Sequence, residues 1–396
     1  MNERRVLKVV RVITRLNIGG PAIQAMRLTS DLAPLGYDTT LVHGRIGASE
    51  GDMAYLLHAD AARVIHLDTL QRPIAPIDDI RALLAILAVL RAVKPDIVHT
   101  HMAKAGVLGR IATLVYNRTA GRAHPARTVH TYHGHVLDGY FSATVANAFV
   151  AVERWLSRGT DVLVAVSPRI RDELAGRFAI APRDRFAVVP LGFDLDALSA
   201  LDEAARARSR AALGISPTAP VISTVGRLTA IKNHTLLLDA ARRVVASTPD
   251  ALFLIAGDGE LRGDLERYAE SLGLADRVRF LGWRRDLPTI YGATDVFVLT
   301  SRNEGTPVAL IEAMAAGVPG VATNVGGVAD VLEDARLGTM VPPDDAEALA
   351  AAIDRLLSSR ALRCEQGRSA RASALARYNL PRLFADIDRL YRSLVG

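Results

Sequence analysis

Short apolar segments rich in β-branched residues alternate with helix-compatible segments along the 396-residue chain. Seven of these segments lie in the first half: Leu7–Ile13, Thr39–His43, Arg63–Leu67, Asp96–Thr100, Arg127–Tyr132, Val162–Val166 and Phe186–Pro190. Five more follow: Val221–Val225, Leu252–Ala256, Val278–Leu281, Val296–Thr300 and Val318–Thr323. This alternation is typical of βαβ units, whose parallel sheets carry helices on both faces. The sequence therefore predicts an α/β fold.

The length, and the repetition of this pattern in both halves, predict two doubly wound domains that each bury their own core. Pro190 and Gly192 interrupt the pattern after the last strand of the first half, which marks a boundary. The predicted domains are residues 1–190 and 191–379, with a last helix over residues 380–396. Ligands of such domains bind at the carboxyl ends of the strands, so we expect a site where the two domains face each other across a cleft.

The composition narrows the class of protein. Cys364 is the single cysteine, which excludes an internal disulfide and a cysteine-built metal site and favours a reducing cytoplasm. Charged residues after Met1 interrupt the apolar stretch that a signal peptide would need. The longest apolar run, Leu83–Leu90, is flanked by arginines and is less than half as long as a membrane span. We therefore expect a cytoplasmic protein without a membrane-spanning segment.

The net charge of +6 is unevenly distributed. The first 190 residues carry 24 Lys and Arg against 16 Asp and Glu, whereas the remaining residues carry 24 against 26. A basic surface can attract nucleic acid, an acidic substrate or an anionic membrane. The basic residues are scattered singly among apolar ones without a nucleic-acid-binding motif, so nucleic acid is not an expected partner. An ordinary arginine-rich surface is the alternative explanation of the excess.

Two carboxylates, Glu304 and Glu312, lie eight positions apart where a predicted strand leads into a helix. Glu304 belongs to the loop, and Glu312 lies in the segment Val308–Ala316, which is apolar on nearly all sides. Such a helix is expected to be buried, and a buried carboxylate needs a hydrogen-bonding partner. The alternative is that both are solvated surface residues, as most glutamates are.

The start of this helix has the composition of an anion-binding site. Thr306 is the expected N-cap, Pro307 the first helical residue, and Gly317 ends the helix. Backbone N–H groups and the positive end of the helix dipole bind anions at such a terminus. Because Glu304 and Glu312 can accept hydrogen bonds from sugar hydroxyls, a phosphate site and a polyol site lie side by side. The pattern therefore indicates a nucleotide-sugar ligand.

The stretch Asn303–Asp330 resembles the Glu-x7-Glu signature of the retaining GT-B glycosyltransferases, a large family that includes many bacterial polysaccharide enzymes. Six further segments match that family in its own order: Asn17–Pro21, Asp96–Gly106, His130–His135, Val189–Asp194, Val225–His234 and Ala256–Glu260. The similarity covers almost the whole chain. It implies two Rossmann-like domains, the first for the acceptor and the second for the donor, and a last helix that crosses back to the first.

By this resemblance, Arg227 and Lys232 hold the diphosphate of the donor, and Glu312 holds its ribose hydroxyls. Cations in such positions neutralise the charge that grows on the phosphate as the glycosidic bond breaks. An exposed turn with two solvated cations is the alternative for Arg227 and Lys232. Asn233, which follows this turn, is the expected cap of the next helix. The other predicted donor-binding residues are Gly19, Gly20, Gly305, Thr306, Pro307 and Val308.

The resemblance implies two catalytic residues, His133 and Glu304. His133 matches the family histidine that contacts the transferred sugar near its reacting carbon, with a core histidine as the alternative. Glu304 is expected to orient and stabilise the sugar. The motifs offer no obvious nucleophile, which favours a front-face reaction in which the departing phosphate takes the proton of the acceptor. His101 matches the family less specifically, and its role stays open.

Neither a metal nor a cofactor is expected. The candidate Asp-x-Asp pair, Asp194 and Asp196, lies in the interdomain segment, where either aspartate is interpreted as a helix cap. The histidines near strand ends lack a carboxylate or cysteine at the spacing of zinc ligands. Gly19 and Gly20 do not belong to a Gly-x-Gly-x-x-Gly fingerprint, which argues against a nicotinamide cofactor.

The leading hypothesis is a retaining, metal-independent transferase that moves a sugar from a UDP-sugar to a saccharide or lipid-linked acceptor in bacterial surface polysaccharide or glycoconjugate synthesis. A non-catalytic sugar-nucleotide-binding protein and a sugar-nucleotide epimerase of the same fold are the alternatives. The segment Tyr140–Arg158 repeats aromatic and apolar residues at helical spacing and ends in arginines. It is a candidate for docking on an anionic membrane at the inner face of the plasma membrane, with an ordinary core helix as the alternative.

Overall fold

The computed structural model describes residues 5–17, 19–47, 63–134 and 143–396. It divides the chain into two compact units, which are Met1–Phe193 with Pro381–Gly396 and Asp194–Leu380. Each unit has its own sheet and its own core.

The first unit is built on a parallel sheet, which has seven strands within the described ranges. The strands are β1 (Leu7–Ile13), β2 (Tyr37–Gly44), β3 (Arg63–Leu67), β4 (Ile97–His101), β5 (Arg127–Tyr132), β6 (Val162–Ala165) and β7 (Phe186–Val188). Along the sheet they are ordered β3-β2-β1-β4-β5-β6-β7. The helices of this unit are α1 (Gly20–Ser30), α2 (Pro76–Val93), α3 (Ala103–Arg118), α4 (Ala143–Ser157), α5 (Pro168–Asp172) and α15 (Leu380–Val395).

The second unit is built on a parallel sheet of six strands. The strands are β8 (Val221–Val225), β9 (Leu252–Ala256), β10 (Val278–Gly282), β11 (Val296–Leu299), β12 (Gly320–Thr323) and β13 (Gly338–Val341). Their order is β10-β9-β8-β11-β12-β13. The helices are α6 (Asp196–Ser199), α7 (Glu203–Ala212), α8 (His234–Ser247), α9 (Arg262–Ser271), α10 (Leu287–Ala293), α11 (Val308–Ala315), α12 (Val328–Val331), α13 (Ala346–Ser358) and α14 (Arg360–Tyr378).

Both sheets contain strands that are buried on both faces. In β1 every residue except Lys8 is buried, and β9 is buried throughout. Strands covered by helices on both sides have no solvent face, which explains their runs of valine, isoleucine and leucine. Ile86 of α2 and Ala112 of α3 belong to the core of the first unit, and Leu237 of α8 and Ile353 of α13 to that of the second. The predicted doubly wound α/β architecture is confirmed.

The strand predictions hold to within about two residues at the strand ends. One strand was not predicted: β13 is four residues long and begins with Gly338. It pairs with β12 at the edge of the second sheet. Tertiary pairing therefore decides this strand, because its local sequence has no strand-like alternation.

Helix α15 is anchored in the first unit by a buried tyrosine. Tyr391 is fully buried, and its Oη accepts a hydrogen bond of 3.0 Å from Arg11 Nη2 on β1. The ring of Tyr391 also lies edge-on to that of Tyr37 on β2, with centroids 5.6 Å apart. The end of the chain thus contributes to the core of the unit in which the chain begins.

Candidate active site

Polar side chains gather at one edge of the second sheet. Strands β8, β11 and β12 are neighbours in that sheet and run parallel, so the loops that follow them leave from the same edge. Arg227 and Lys232 follow β8, and Glu304 follows β11. The fold therefore places the loops that carry these three sequence-predicted residues on neighbouring strands.

The carboxylate of Glu304 is held by two hydrogen bonds to the same oxygen. Lys232 Nζ and Ser301 Oγ each lie 2.6 Å from Glu304 Oε1. The side chain of Glu304 is 8% exposed and that of Lys232 is 24% exposed, so the ion pair is largely shielded from water. These contacts fix the orientation of the carboxylate. Ser301 was not among the predicted site residues.

Glycines hold the Glu304 loop against the next loop. A Cβ atom on Gly326 would lie 2.0 Å from the carbonyl oxygen of Glu304, and one on Gly327 would lie 1.8 Å from that of Gly305. The N–H of Gly327 donates to the Glu304 carbonyl at 2.9 Å. The backbone segments after β11 and β12 therefore touch directly, an approach that only glycine permits.

A second pair of glycines supports the turn that carries Arg227. A Cβ atom on Gly257 would lie 1.9 Å from the carbonyl oxygen of Gly226, and one on Gly259 would lie 2.5 Å from that of Leu228. The loop after β9 is thus packed directly under the loop after β8. The side chain of Arg227 itself is exposed.

Helix α11 begins one residue later than predicted. Its first residue is Val308, and Pro307, with ψ of 83°, occupies the N-cap position. The prediction of Thr306 as the N-cap and Pro307 as the first helical residue is therefore wrong, because Pro307 itself is not helical. Gly317 follows the helix as predicted, with φ of 74°. The first N–H groups of α11 have no partners within the helix, as at any helix start.

Glu312 lies on α11 and has a buried tyrosine as its partner. Tyr291 Oη on α10 donates a hydrogen bond of 2.9 Å to Glu312 Oε2. Burial raises the pKa of Glu312 to about 7, while the hydrogen bond from Tyr291 acts in the opposite direction. The sequence predicted that this carboxylate needs a partner but did not identify it. Ligand groups that donate further hydrogen bonds to Glu312 would favour its charged form.

A second set of predicted residues lies at one edge of the first sheet, where β1, β4 and β5 are neighbours. Gly19, with φ of 154°, is the N-cap of α1, and Gly20 is its first residue, so the predicted turn after β1 is confirmed. His101 ends β4 and His133 follows β5. His101 Nδ1 and His133 Nε2 lie 3.0 Å apart. His135, which the matching segment also includes, lies outside the described residues.

Two family models match the chain, one in each half. "Glycosyl transferase 4-like domain" matches residues 19–192, and "Glycosyl transferases group 1" matches residues 205–373. A relative from Escherichia coli, UDP-Gal:alpha-D-GlcNAc-diphosphoundecaprenol alpha-1,3-galactosyltransferase, is 30% identical over 85% of this chain and 85% of its own length. The chain belongs to the group 1 glycosyltransferase family.

Further comparisons agree with this assignment. The D-inositol 3-phosphate glycosyltransferase of Corynebacterium urealyticum is 36% identical to this glycosyltransferase over 53% of the chain and 51% of the relative. The crystal structure of Anabaena Alr3699/HepE in complex with UDP and glucose gives a TM-score of 0.80 at 21% identity, over 98% of this chain and 100% of that chain. The GT-B fold implied by the motifs is confirmed.

The residues expected to cap two helices in this glycosyltransferase are bonded differently. Leu195, rather than Asp194 or Asp196, occupies the N-cap position of α6, and the carboxylate of Asp194 accepts the N–H of Asp196 at 3.4 Å. Asn233 occupies the N-cap position of α8, but its side chain donates to Asp344 Oδ1 at 2.8 Å. A tertiary contact therefore replaces the expected local one.

Proposed function

We propose that this glycosyltransferase moves a hexosyl group, with retention of configuration, from a UDP-sugar to a saccharide or lipid-linked acceptor in bacterial surface polysaccharide or glycoconjugate synthesis. The observation that carries the proposal is the shielded Lys232–Glu304 pair on the loops after β8 and β11, with Arg227 in the same turn as Lys232. Cationic side chains can bind a diphosphate, and a carboxylate of fixed orientation can accept hydrogen bonds from sugar hydroxyls. The name of the Escherichia coli relative, which includes UDP-Gal and a diphosphoundecaprenol-linked acceptor, supports both substrates.

In this proposal the donor binds along the carboxyl edge of the second sheet. Arg227, Lys232 and the backbone of Gly305–Val308 bind the diphosphate. Glu312 accepts hydrogen bonds from the ribose hydroxyls, and Tyr291 fixes the orientation of its carboxylate. At neutral pH Glu312 is partly protonated, because its pKa is about 7. Hydrogen bonds donated by the ribose hydroxyls stabilise the charged carboxylate, and the same hydrogen bonds contribute to binding of the donor.

The proposed reaction takes place on one face of the sugar. The acceptor oxygen bonds to the anomeric carbon on the side from which the phosphate departs, and the carbon–oxygen bond to the phosphate breaks. The proton of the acceptor hydroxyl passes to a phosphate oxygen. Arg227 and Lys232 stabilise the negative charge that grows on the phosphate, and Glu304 stabilises the positive charge at the sugar.

His133 serves in this scheme as a hydrogen-bonding contact for a sugar oxygen. Burial lowers its pKa to about 3, so the ring is neutral at physiological pH. A neutral imidazole donates through one nitrogen and accepts through the other, and it is not a cationic general acid.

The function is tested by following UDP release from a panel of UDP-sugars, with and without a membrane extract as acceptor source. A transferase releases UDP when acceptor is present, a binding protein releases none, and an epimerase converts the sugar without acceptor. Arg227→Ala is expected to lower the rate about a hundredfold. Arg243→Ala, which removes an exposed arginine from α8, is the matched control and should retain the wild-type rate.

We also propose that the first unit docks on an anionic membrane at the cytoplasmic face, where a lipid-linked acceptor is available. Helix α4 has two faces: Val150 and Leu156 are buried, whereas Val145, Val152 and Trp155 are 41%, 39% and 53% exposed. One side of α4 is thus packed as in a core helix, and the other side leaves apolar side chains available for the proposed docking. Tyr140–Ser142, the start of the predicted segment, lies outside the described residues. Within the described part, every helix is too short or too polar to cross a bilayer.

Helix α2 adds a second apolar stripe. Ile77, Ile80 and Leu84 are 69%, 59% and 59% exposed. The crossovers that contain α2, α3 and α4 all advance in the same direction along the sheet, so these helices cover the same face. The acidic residues of α2 are paired with cations, Asp78 with Arg81 and Asp79 with Lys104. Helix α3 carries no acidic residue, and the one acidic residue of α4, Glu153, is buried against Arg110 at 2.7 Å. This face therefore suits an anionic bilayer better than a basic partner.

A further inference from the structure

Two histidines of the first unit share one hydrogen bond. His101 Nδ1 and His133 Nε2 lie 3.0 Å apart, and the ring centroids are 5.3 Å apart at an interplanar angle of 28°. Burial lowers the pKa of both imidazoles, that of His133 to about 3 and that of His101 well below its usual value. Both rings are therefore neutral at physiological pH, and each carries one N–H.

The shared hydrogen bond couples the protonation of the two outer nitrogens of the pair, which are His101 Nε2 and His133 Nδ1. Whichever ring donates, one outer nitrogen carries a proton and the other a lone pair. His101 Nε2 and His133 Nδ1 are both buried, and neither has a hydrogen-bond partner among the described residues. A sugar oxygen can satisfy such a nitrogen, because a hydroxyl both donates and accepts.

The neighbouring histidine has a fixed tautomer. Arg11 can only donate, and its Nη2 lies 3.0 Å from Tyr391 Oη. The buried hydroxyl of Tyr391 then donates to His99 Nδ1 at 2.6 Å, which leaves the proton of His99 on Nε2, 2.7 Å from Thr131 Oγ1. The ring of His99 lies 4.2 Å from that of His101, so His101 lies between the oriented ring of His99 and the ring of His133.

The exposure of the two rings selects one protonation pattern for the pair. His101 is 0% exposed, whereas His133 is partly exposed. A buried N–H without an acceptor is disfavoured more strongly than a buried lone pair. Both outer nitrogens are buried in the free protein, but only the ring of His133 is partly exposed, so only that ring can be reached by a ligand. A proton on His133 Nδ1 can therefore gain an acceptor from a bound sugar, whereas a proton on His101 Nε2 cannot. This favours the pattern in which His101 Nδ1–H donates to His133 Nε2 and His133 keeps its proton on Nδ1.

We propose that His101 is a positioning residue that fixes the ring and the tautomer of His133, so that His133 presents Nδ1–H as a donor to a sugar oxygen. His101 is completely buried and acts only through His133. The proposal rests on the proposed contact between His133 and the transferred sugar.

The tautomer is tested without any substrate. In ¹H–¹⁵N correlation spectra of histidine-labelled protein, His133 is expected as the Nδ1–H form in the wild type. In His101→Phe, which keeps a ring beside His99 but removes the donor, His133 is expected to lose this single form. A wild-type spectrum with the proton of His133 on Nε2 would overturn the proposal. This arm holds whether or not a sugar acceptor is found.

Activity tests the positioning role. His101→Phe is expected to lower kcat about 10- to 100-fold with UDP affinity unchanged. His101→Asn retains an amide donor near the position of Nδ1 and should recover most of the loss. His130→Asn is the matched control, because His130 is equally buried but bonded to Thr100 Oγ1 at 2.8 Å.

Three outcomes of these assays contradict the proposal: full turnover in His101→Phe, equal losses in His101→Phe and His101→Asn, or an equal loss in His130→Asn. Should His101→Phe fail to fold, His101→Asn and the wild-type spectrum decide the question. A wild type that transfers no sugar refutes the proposed function instead, and the spectra still decide the tautomer.

Discussion

At Glu312, folding stability favours the protonated carboxyl group, whereas the proposed ligand binding favours the charged carboxylate. Its folded-state pKa of about 7 lies above the usual 4.5, so between these values the folded state keeps a proton that the unfolded state has released. The stabilisation from this proton is complete below the unfolded pKa and is lost as the pH rises through 7. Glu312→Gln cannot ionise and should therefore be more stable than the wild type at pH 8, by about 1–3 kcal/mol.

Urea unfolding at pH 5 and pH 8 checks this prediction, with Glu270→Gln, an exposed glutamate of α9, as the control. The stability advantage of Glu312→Gln should shrink between pH 8 and pH 5. Calorimetry should show weaker UDP binding, because the amide accepts hydrogen bonds less strongly than the carboxylate. A variant that follows the wild-type pH dependence and keeps its UDP affinity would refute the role of Glu312.

The residues that the sequence predicted are those with a local pattern. Glu304 and Glu312 were recognisable from their spacing around a helix start, and Lys232 from the resemblance of the segment Val225–His234 to the family. Tyr291 and Ser301 were missed, because each acts through one contact made by the tertiary fold. A tyrosine 21 positions before its partner leaves no periodic signal.

At the scale of elements, two neighbouring loops support the candidate donor site through backbone contact. Gly327→Ala would place a Cβ atom 1.8 Å from the carbonyl oxygen of Gly305 and push the Glu304 loop away from β12. We expect a loss of about 1–3 kcal/mol in unfolding free energy, together with weaker UDP binding.

Gly263→Ala is the matched control in the same unit. The nearest atom to its new Cβ would be the flexible end of Arg267, at 3.4 Å, and alanine within α9 should stabilise the helix. Thermal unfolding and UDP titration of both variants provide the measurement. Equal behaviour of the two would show that the contact between Gly327 and the Glu304 loop is unimportant.

Sequence patterns predicted most of the strands but not every helix boundary or cap. The alternation of apolar runs predicted twelve of the strands. Most of these strands are buried on both faces, and such strands consist of nearly continuous apolar residues. The start of α11 was misplaced by one residue, since the preference of proline for the first helical position is statistical and Pro307, with ψ of 83°, is not helical here. The side chain of Asn233, which was expected to cap α8, instead donates a hydrogen bond to Asp344, a residue 111 positions away.

At the scale of the whole molecule, the proposed chemistry depends on protein cations rather than on a metal. Arg227 and Lys232 supply positive charge in the turn after β8, and the helix start after β11 supplies N–H groups. We therefore expect dialysis against EDTA to leave the rate of UDP release within about twofold of its original value. Loss of turnover with EDTA and its recovery with Mg²⁺ would show that a metal is required.

The two tryptophans of the chain provide a test of membrane docking, because each lies in a different unit. Trp155 of α4 is 53% exposed on the proposed face, and Trp283 is 48% exposed in the second unit. Trp283→Phe leaves Trp155 as the only reporter, and Trp155→Phe leaves Trp283. Each basic residue near an anionic surface contributes about 1 kcal/mol, and salt screens that contribution.

With vesicles of anionic lipid at low salt, the emission of Trp155 is expected to shift to the blue, because the indole enters an apolar environment, while that of Trp283 stays unchanged. High salt should reverse the shift, and neutral vesicles should not produce it. In sedimentation, Trp155→Ala should leave more protein in the supernatant than Trp283→Ala. An equal shift of both reporters would place the contact elsewhere. No shift and full recovery in the supernatant would exclude docking and favour a soluble saccharide as the acceptor.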